Sequence, residues 1–272
     1  TTTSRMLAHI MKSSGKIVGM TSTDGVYVDG KLTVKGDMTG PASAQMVLRD
    51  PSVDFAVMET ARGGLVRSGL GYQRCDVSAC LNVTSDHLGM GGINTVEELA
   101  IVKRVVVETA TDTVVLNADD LNCLRMADFC HATHICYVTM NSEHALVKEH
   151  IRAGGRAVVL EKAMNGDMIT VYSKGLHLPV LWSHLVPATL EGKALYNVQN
   201  AMFATAMAFA VALPTALAVA LSKAPGRCLG SCPCPRPRPR PRPWPWAWAW
   251  AWAWACTVAS PAVEDVGQCR QP

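Results

Sequence analysis

The stretch V-D-F-A-V-M-E-T-A-R-G-G, residues 53–64, decides the fold. Phe55 to Met58 are apolar without a polar break, the pattern of a short strand covered on both faces. Glu59 stands where that strand must end, and Gly63-Gly64 follow closely. Open α/β sheets bind their ligands outside the carboxyl ends of their strands. Glu59 is therefore a candidate ligand for a hydrated magnesium ion, which takes one or two carboxylates beside phosphate oxygens. A helix N-cap, or an ion pair with Arg62 or Arg67, explains the same residue as well.

Working outward, apolar runs alternate with helix-period segments. Residues 2–14 read as an amphipathic helix, and 15–30 as a strand running through Thr23-Asp24-Gly25 into a hairpin at Asp29-Gly30. Residues 43–50 read as a helix, 75–83 as a strand, 95–110 as a helix and 112–119 as a strand. Residues 134–140 give a further strand, 156–175 a hairpin turning at Asn165-Gly166, and 194–213 a strong helix. Strands separated by helices predict an α/β domain, a parallel sheet with helices packed on both faces.

Two more stretches carry candidate chemistry. L-N-V-T-S-D-H-L-G (81–89) puts Asp86-His87 just past the strand after Glu59, at the same sheet edge. A histidine following an aspartate there, opposite another strand-end carboxylate, suits a metal or phosphate ligand. In the helix over 95–110, Arg104 can reach solvent while Lys103 faces inward. The chain also opens on Thr1-Thr2-Thr3 before an amphipathic helix. That is the arrangement after the lysine of a phosphate-binding loop, where the hydroxyl reaches magnesium and the helix N-terminus faces phosphates; it is equally a plain helix cap.

Composition limits the alternatives. A net charge of +3 on 272 residues, with no basic stripe in residues 1–220, argues against nucleic acid as the partner. Arg5, His9, Lys12 and Lys16 interrupt any secretory-signal order. Ten cysteines without C-x-x-C spacing read as reduced thiols of a cytoplasmic protein. Residues 201–221 are nearly uncharged, yet alanine-rich and broken by Pro214, so a buried helix followed by a second short helix is expected rather than a membrane span. Residues 1–212 form the expected globular domain. Residues 213–272, with their Pro-Arg, Pro-Trp and Ala-Trp repeats, are expected to be a disordered low-complexity tail.

In order and spacing, T-T-T-S-R-M-L-A-H-I (1–10), T-S-T-D-G-V-Y-V-D-G (21–30), D-M-T-G-P-A-S-A-Q-M-V-L-R-D-P-S-V-D-F-A-V-M-E-T-A-R-G-G-L-V-R-S-G-L (37–70), C-D-V-S-A-C-L-N-V-T-S-D-H-L-G (75–89), V-L-N-A-D-D (115–120) and N-V-Q-N-A-M-F-A-T-A-M-A-F-A (197–210) resemble the Mur-ligase-like domain of cyanophycin synthetases. The resemblance covers roughly residues 1–212. It implies a P-loop-type central domain and an ATP-dependent amide ligase that activates a carboxylate as an acyl phosphate. It further implies arginine and an aspartate-backbone primer of cyanophycin as substrates, with ATP and magnesium as cofactors. Neither membrane nor nucleic acid is an implied partner, and a homo-oligomer is left open.

Residue by residue, the resemblance makes Thr1 the loop hydroxyl on magnesium, with Thr2 beside the nucleotide, and Glu59 the second magnesium ligand. His87 matches the ligand of the other metal position. Lys103 matches the helix lysine that helps hold that metal, carbamylated in several relatives, and Asn197 and Asn200 match the Asn-x-x-Asn beside the nucleotide. Asp24, Thr39 and Arg62 are placed near the substrates. The family's phosphate loop reads Gly-Thr-Asn-Gly-Lys-Thr, of which the sequence carries the last threonine as Thr1. The tail stands where the family continues into a smaller α/β domain. Two readings follow, a ligase fragment of impaired activity and a non-catalytic remnant that keeps the fold. A peptidoglycan or folylpolyglutamate type of ligase is a further alternative, which leaves Thr60-Ala61-Arg62-Gly63-Gly64 without an explanation.

Overall fold

A computed structural model describes residues 1–222 except Asp86, His87 and Met90, with side chains described to residue 211. The expectations for His87 and for the repeat tail beyond residue 222 fall outside the described residues.

Helix α1 (Thr2–Ser13) buries Thr3, Met6, Leu7, Ile10 and Met11, the i, i+3, i+4, i+7 stripe of one helix face. Strands β1 (Val18–Ser22), β2 (Gly25–Val28) and β3 (Lys31–Lys35) form an antiparallel meander. Its second turn places Asp29 and Gly30 both at positive φ, the type I′ geometry that matches the strands' twist. Helix α2 (Pro41–Arg49) then leads to β4 (Phe55–Met58), which returns parallel to β1. These strands make a four-stranded sheet of order β3-β2-β1-β4.

Helix α3 (Arg62–Ser68) follows β4, and its Gly64 lies where a Cβ would stand 3.1 Å from Thr39 O, so the missing side chain at Gly64 allows helix and loop to touch. Next come β5 (Cys75–Cys80), α4 (Val96–Glu108), β6 (Ala110–Asn117), α5 (Leu121–Arg125), β7 (His134–Thr139), α6 (Ala145–Arg152) and β8 (Arg156–Ala163). The four strands β5 to β8 are mutually parallel. β9 (Gly166–Ser173) and β10 (Leu176–Trp182) then extend the sheet antiparallel, giving the order β10-β9-β8-β7-β6-β5. The α/β class is as expected and the larger sheet is mostly parallel, but the strands form two sheets rather than one.

Core residues alternate across the six-stranded sheet. Val115, Val138, Val158 and Leu160 pack with α1 and with the last helix, α7 (Leu195–Ser222), whereas Val114, Leu116, Ala157 and Val159 pack with α4, α5 and α6. Helices therefore cover both faces. α7 supplies Met202, Phe203, Ala204 and Ala206, all at most 1% exposed, to the first layer.

Two local expectations are corrected and one strand is added. The β8–β9 hairpin turns at Met164-Asn165, and Gly166 already pairs with Ala163. β10 escapes a reading by periodicity because Pro179 interrupts it; a proline is tolerated there because β10 is an edge strand and a register shift follows it. Finally, α7 continues through Pro214 to Ser222 as one helix instead of two. The proline removes its own amide and its ring crowds the carbonyl one turn back, but the alanines and leucines around it have high helix propensity, which favours continuing the helix. Among the described residues no helix is long and apolar enough to cross a membrane.

Candidate active site

β4 and β5 are the facing edges of the two sheets, and a cleft of about 610 Å³ runs between them. Residues 54–60 form one wall and 74–82 the other, while the start of α1, part of α4 and α7 close it. The cleft runs the length of β4 and β5 and includes their carboxyl ends, where the sequence places its candidate ligands.

Glu59 continues the β1–β4 pairing by donating its amide to Thr21 O at 3.3 Å. Its carboxylate meets Thr1 across 58 residues of sequence. Thr1 Oγ1 donates to Oε1 at 2.8 Å, and the Thr1 backbone nitrogen lies 3.2 Å from the same oxygen. The Thr1 hydroxyl also touches Thr23 Oγ1 at 3.0 Å. Glu59 Oε2 is buried and has no hydrogen-bond partner. A buried acceptor without a partner is costly unless something else satisfies it. Ala61 is the residue that caps α3, and Arg67 Nε donates to Gly63 O within its own helix, so capping does not explain Glu59.

Helix α1 has no acidic residue in its first turn and no side-chain cap. The amides of that turn lack intrahelical acceptors and carry the positive end of the helix dipole toward the cleft. Thr2 lines the cleft beside them. Thr3, the last of the opening threonine run, donates to Asn200 Oδ1 at 2.9 Å. Asn200 Nδ2 in turn donates to Asn197 Oδ1 at 3.1 Å, and Asn197 Nδ2 to Ala188 O at 2.7 Å. Asn200 lines the cleft; Asn197 stands behind it and orients it.

α4 begins with a capping box, Thr95 Oγ1 accepting from the Glu98 amide while the Glu98 carboxylate accepts from the Thr95 amide. This sets the helix so that Lys103 enters the cleft, its Nζ donating to Asn82 O at 2.9 Å just beyond β5. Arg104 turns away, paired with Glu108 and stacked 3.8 Å over the Phe129 ring. Lys103 faces the cleft as expected, whereas Arg104, only 26% exposed, packs on Phe129 rather than reaching solvent. Arg62, at the start of α3, also lines the cleft.

Asp24 lies at the β1–β2 turn. Ser22 and Tyr27 hydroxyls donate to it and Arg5 pairs with it at 2.5 Å, which brings its carboxyl down to about 2. It is tied to α1 through Arg5 rather than to the cleft wall. Thr39 donates its hydroxyl to Asp37 and offers its carbonyl to the Ala61 amide at 3.5 Å, supporting the loop after β4.

Sequence reasoning missed several residues around the cleft. Tyr72 lines it with its hydroxyl pKa raised by burial, and Ser78 lines it with a buried Oγ that has no partner. Asp120 binds three amides: Val83 through Oδ2, and Asn122 and Cys123 through Oδ1, so it caps α5 and anchors the chain leaving β5. An aspartate just before a short helix is the only sequence signal for any of these.

The Mur ligase middle domain model matches residues 1–208. The chain is 46% identical over 211 residues to the cyanophycin synthetase of Nostoc sp., and 44% identical over 211 residues to that of Synechocystis sp.. In each case the match covers 77% of this chain; it covers 23% of the Nostoc protein and 24% of the Synechocystis protein, so the chain spans about a quarter of its relatives' length. Among solved structures it is similar in fold to UDP-N-acetylmuramoyl-L-alanyl-D-glutamate--2,6-diaminopimelate ligase. There the TM-score is 0.56 at 19% identity, over 79% of this chain and 41% of the other. The split sheet, the helix that opens at its edge and the match across residues 1–208 agree: the chain belongs to the Mur ligase middle-domain family.

Proposed function

We propose that this domain provides the nucleotide and magnesium site of an ATP-dependent amide ligase of the cyanophycin synthetase type, acting in the cytoplasm. In this reading the enzyme adds arginine to aspartate side chains of a cyanophycin primer. The observation that carries the reading is the meeting of Thr1 and Glu59 at the mouth of the cleft, with Glu59 Oε2 buried and unpartnered.

The donor set suits magnesium, since a hydroxyl and a carboxylate are the hard oxygen ligands it prefers. Thr1 and Glu59 would hold the ion, with His87 as the proposed ligand of a second metal position. Magnesium, when bound, offsets the repulsion between the phosphates and the carboxylate substrate.

The chain's own residues supply the rest. The free amides at the start of α1, with Thr1 and Thr2, receive the phosphates, and Asn200, oriented by Asn197 and Thr3, borders the nucleotide. Lys103 and Arg62 bring positive charge to the wall where two anions must approach. The carboxylate oxygen attacks the γ-phosphorus as the bond to ADP breaks, forming an acyl phosphate. An amine of arginine then attacks the acyl carbon, the amide bond forms, phosphate leaves with the electron pair of the broken C–O bond, and the nitrogen gives up its proton to solvent.

The test joins this domain to a complete phosphate loop and to the C-terminal domain of a relative, and follows ADP release with ATP, arginine and an aspartate-backbone primer. Arginine-dependent turnover that disappears in Glu59→Ala is expected. A folded chimera without arginine-dependent ADP release refutes the reading. Turnover with a peptidoglycan or folate precursor instead would assign the domain to another Mur-type ligase.

A further inference from the structure

Cys80 and Cys123 lie 43 residues apart in sequence, at the end of β5 and within α5, yet their sulfurs are 3.5 Å apart. The Cys123 thiol donates to the Cys80 sulfur. Both side chains are buried, Cys123 at 0% and Cys80 at 6% exposure. A disulfide bond is about 2.05 Å long, so the sulfurs need to approach by only about 1.5 Å. The two segments are already clamped together, because Asp120 binds the amide of Val83 beyond β5 and that of Cys123 in α5. We propose that Cys80 and Cys123 form a redox-active dithiol that reacts with hydrogen peroxide and closes to an intramolecular disulfide.

The two sulfurs have different roles. Cys80 lines the cleft, so a small oxidant reaches it from that side, whereas Cys123 faces the core formed with β6 and α4. The hydrogen bond from Cys123 favours the Cys80 thiolate. The same pairing pushes the Cys123 thiol up, so Cys80 is the attacking sulfur. Its thiolate attacks one peroxide oxygen: an S–O bond forms, the O–O bond breaks, and the departing hydroxide takes a proton to become water. Cys123 sulfur then attacks Cys80 sulfur: the S–S bond forms, the S–O bond breaks, and a second water leaves with the Cys123 proton. Two thiols are oxidised and one peroxide is reduced.

Other cysteines provide internal controls. Cys136 lies in the opposite core layer, fully buried, and burial pushes its thiol up to about 12. Cys75, at the far end of β5, contacts the Thr109 hydroxyl.

The chain is treated with hydrogen peroxide, alkylated, digested with trypsin and analysed by mass spectrometry. Trypsin leaves Cys75 and Cys80 in one peptide and Cys123 in another, and fragmentation, or a Cys75→Ser background, distinguishes the first two. The expected product is a Cys80–Cys123 cross-link lighter by two hydrogens, with the loss of these two free thiols and retention of the Cys136 thiol. Cys123→Ser is expected to stop at a Cys80 sulfenic acid that dimedone traps. If that variant does not fold, the cross-link in the unaltered chain decides. Cys80 and Cys123 both alkylatable after oxidation, Cys80 carried to sulfinic acid beside a free Cys123, or Cys80 joined to any other cysteine would each overturn the proposal.

Discussion

Replacing Glu59 by glutamine removes one negative charge from the mouth of the cleft and leaves the shape of the side chain intact. The substituted side chain would retain a carbonyl oxygen for the Thr1 hydroxyl, which now reaches Oε1 at 2.8 Å. The other end, where Glu59 Oε2 is buried without a partner, would become an amide donor aimed at the proposed cation. Two unit charges about 4 Å apart at an effective dielectric constant of about 20 interact by ~4 kcal/mol. That corresponds to roughly a thousandfold in affinity. The fold should change little, because the substituted side chain keeps its shape and its acceptor for the Thr1 hydroxyl.

The assay is a calorimetric titration of magnesium into each protein with a non-hydrolysable ATP analogue present, with urea unfolding as the control for stability. A large fall in magnesium affinity at nearly unchanged stability is expected. Measured in the chimera with the complete phosphate loop, magnesium binding that is equal with Glu59 and with Glu59→Gln would refute the assignment of Glu59.

Three further outcomes test the structure. Asp120→Ala removes the α5 cap, worth about 1 kcal/mol, and a charged acceptor for Val83, worth about 1.5–3 kcal/mol, so urea unfolding should show a loss of roughly 2–4 kcal/mol. Phe203→Ala empties a fully buried site between α7 and the six-stranded sheet and should cost about 3–5 kcal/mol in the same measurement. Asp24 has its carboxyl held below the ordinary 3.8, at about 2, so the folded state is favoured above the higher value and loses that contribution as pH falls through the lower one. The acid unfolding of Asp24→Asn, followed by circular dichroism, should lack this share of the pH dependence between about 4 and about 2.

Local patterns carried much of the fold. The stripe from Thr3 to Met11, the Asp29-Gly30 turn and the apolar runs of β4, β6 and β7 express one-dimensional periods, and each appears where its period places it. Elements shorter than two turns or interrupted by proline have little period to read, hence the silence over α5 and β10. The candidate site divides in the same way. Glu59 and Lys103 carry local signals, a strand end and a basic pair in an apolar helix. Thr23, Ser78 and Tyr72 carry none, because their roles come from what other segments bring beside them.

Strand neighbours are a further property that periodicity does not encode. β4 and β5 are consecutive strands, each reads as a parallel strand, and the simplest arrangement would pair them in one sheet. Instead β4 pairs with β1, β5 pairs with β6, and the two edges face each other across the cleft. This separation gives the site its chemistry. Paired edges would leave no room between Glu59 and Lys103, whereas the open edges admit the start of α1 from one side and α4 from another. A carboxylate, a hydroxyl, a helix N-terminus and a lysine thereby border one cavity. The cleft between the sheets is thus the structural reason that residues as distant in sequence as Thr1, Glu59 and Lys103 can act on one ligand.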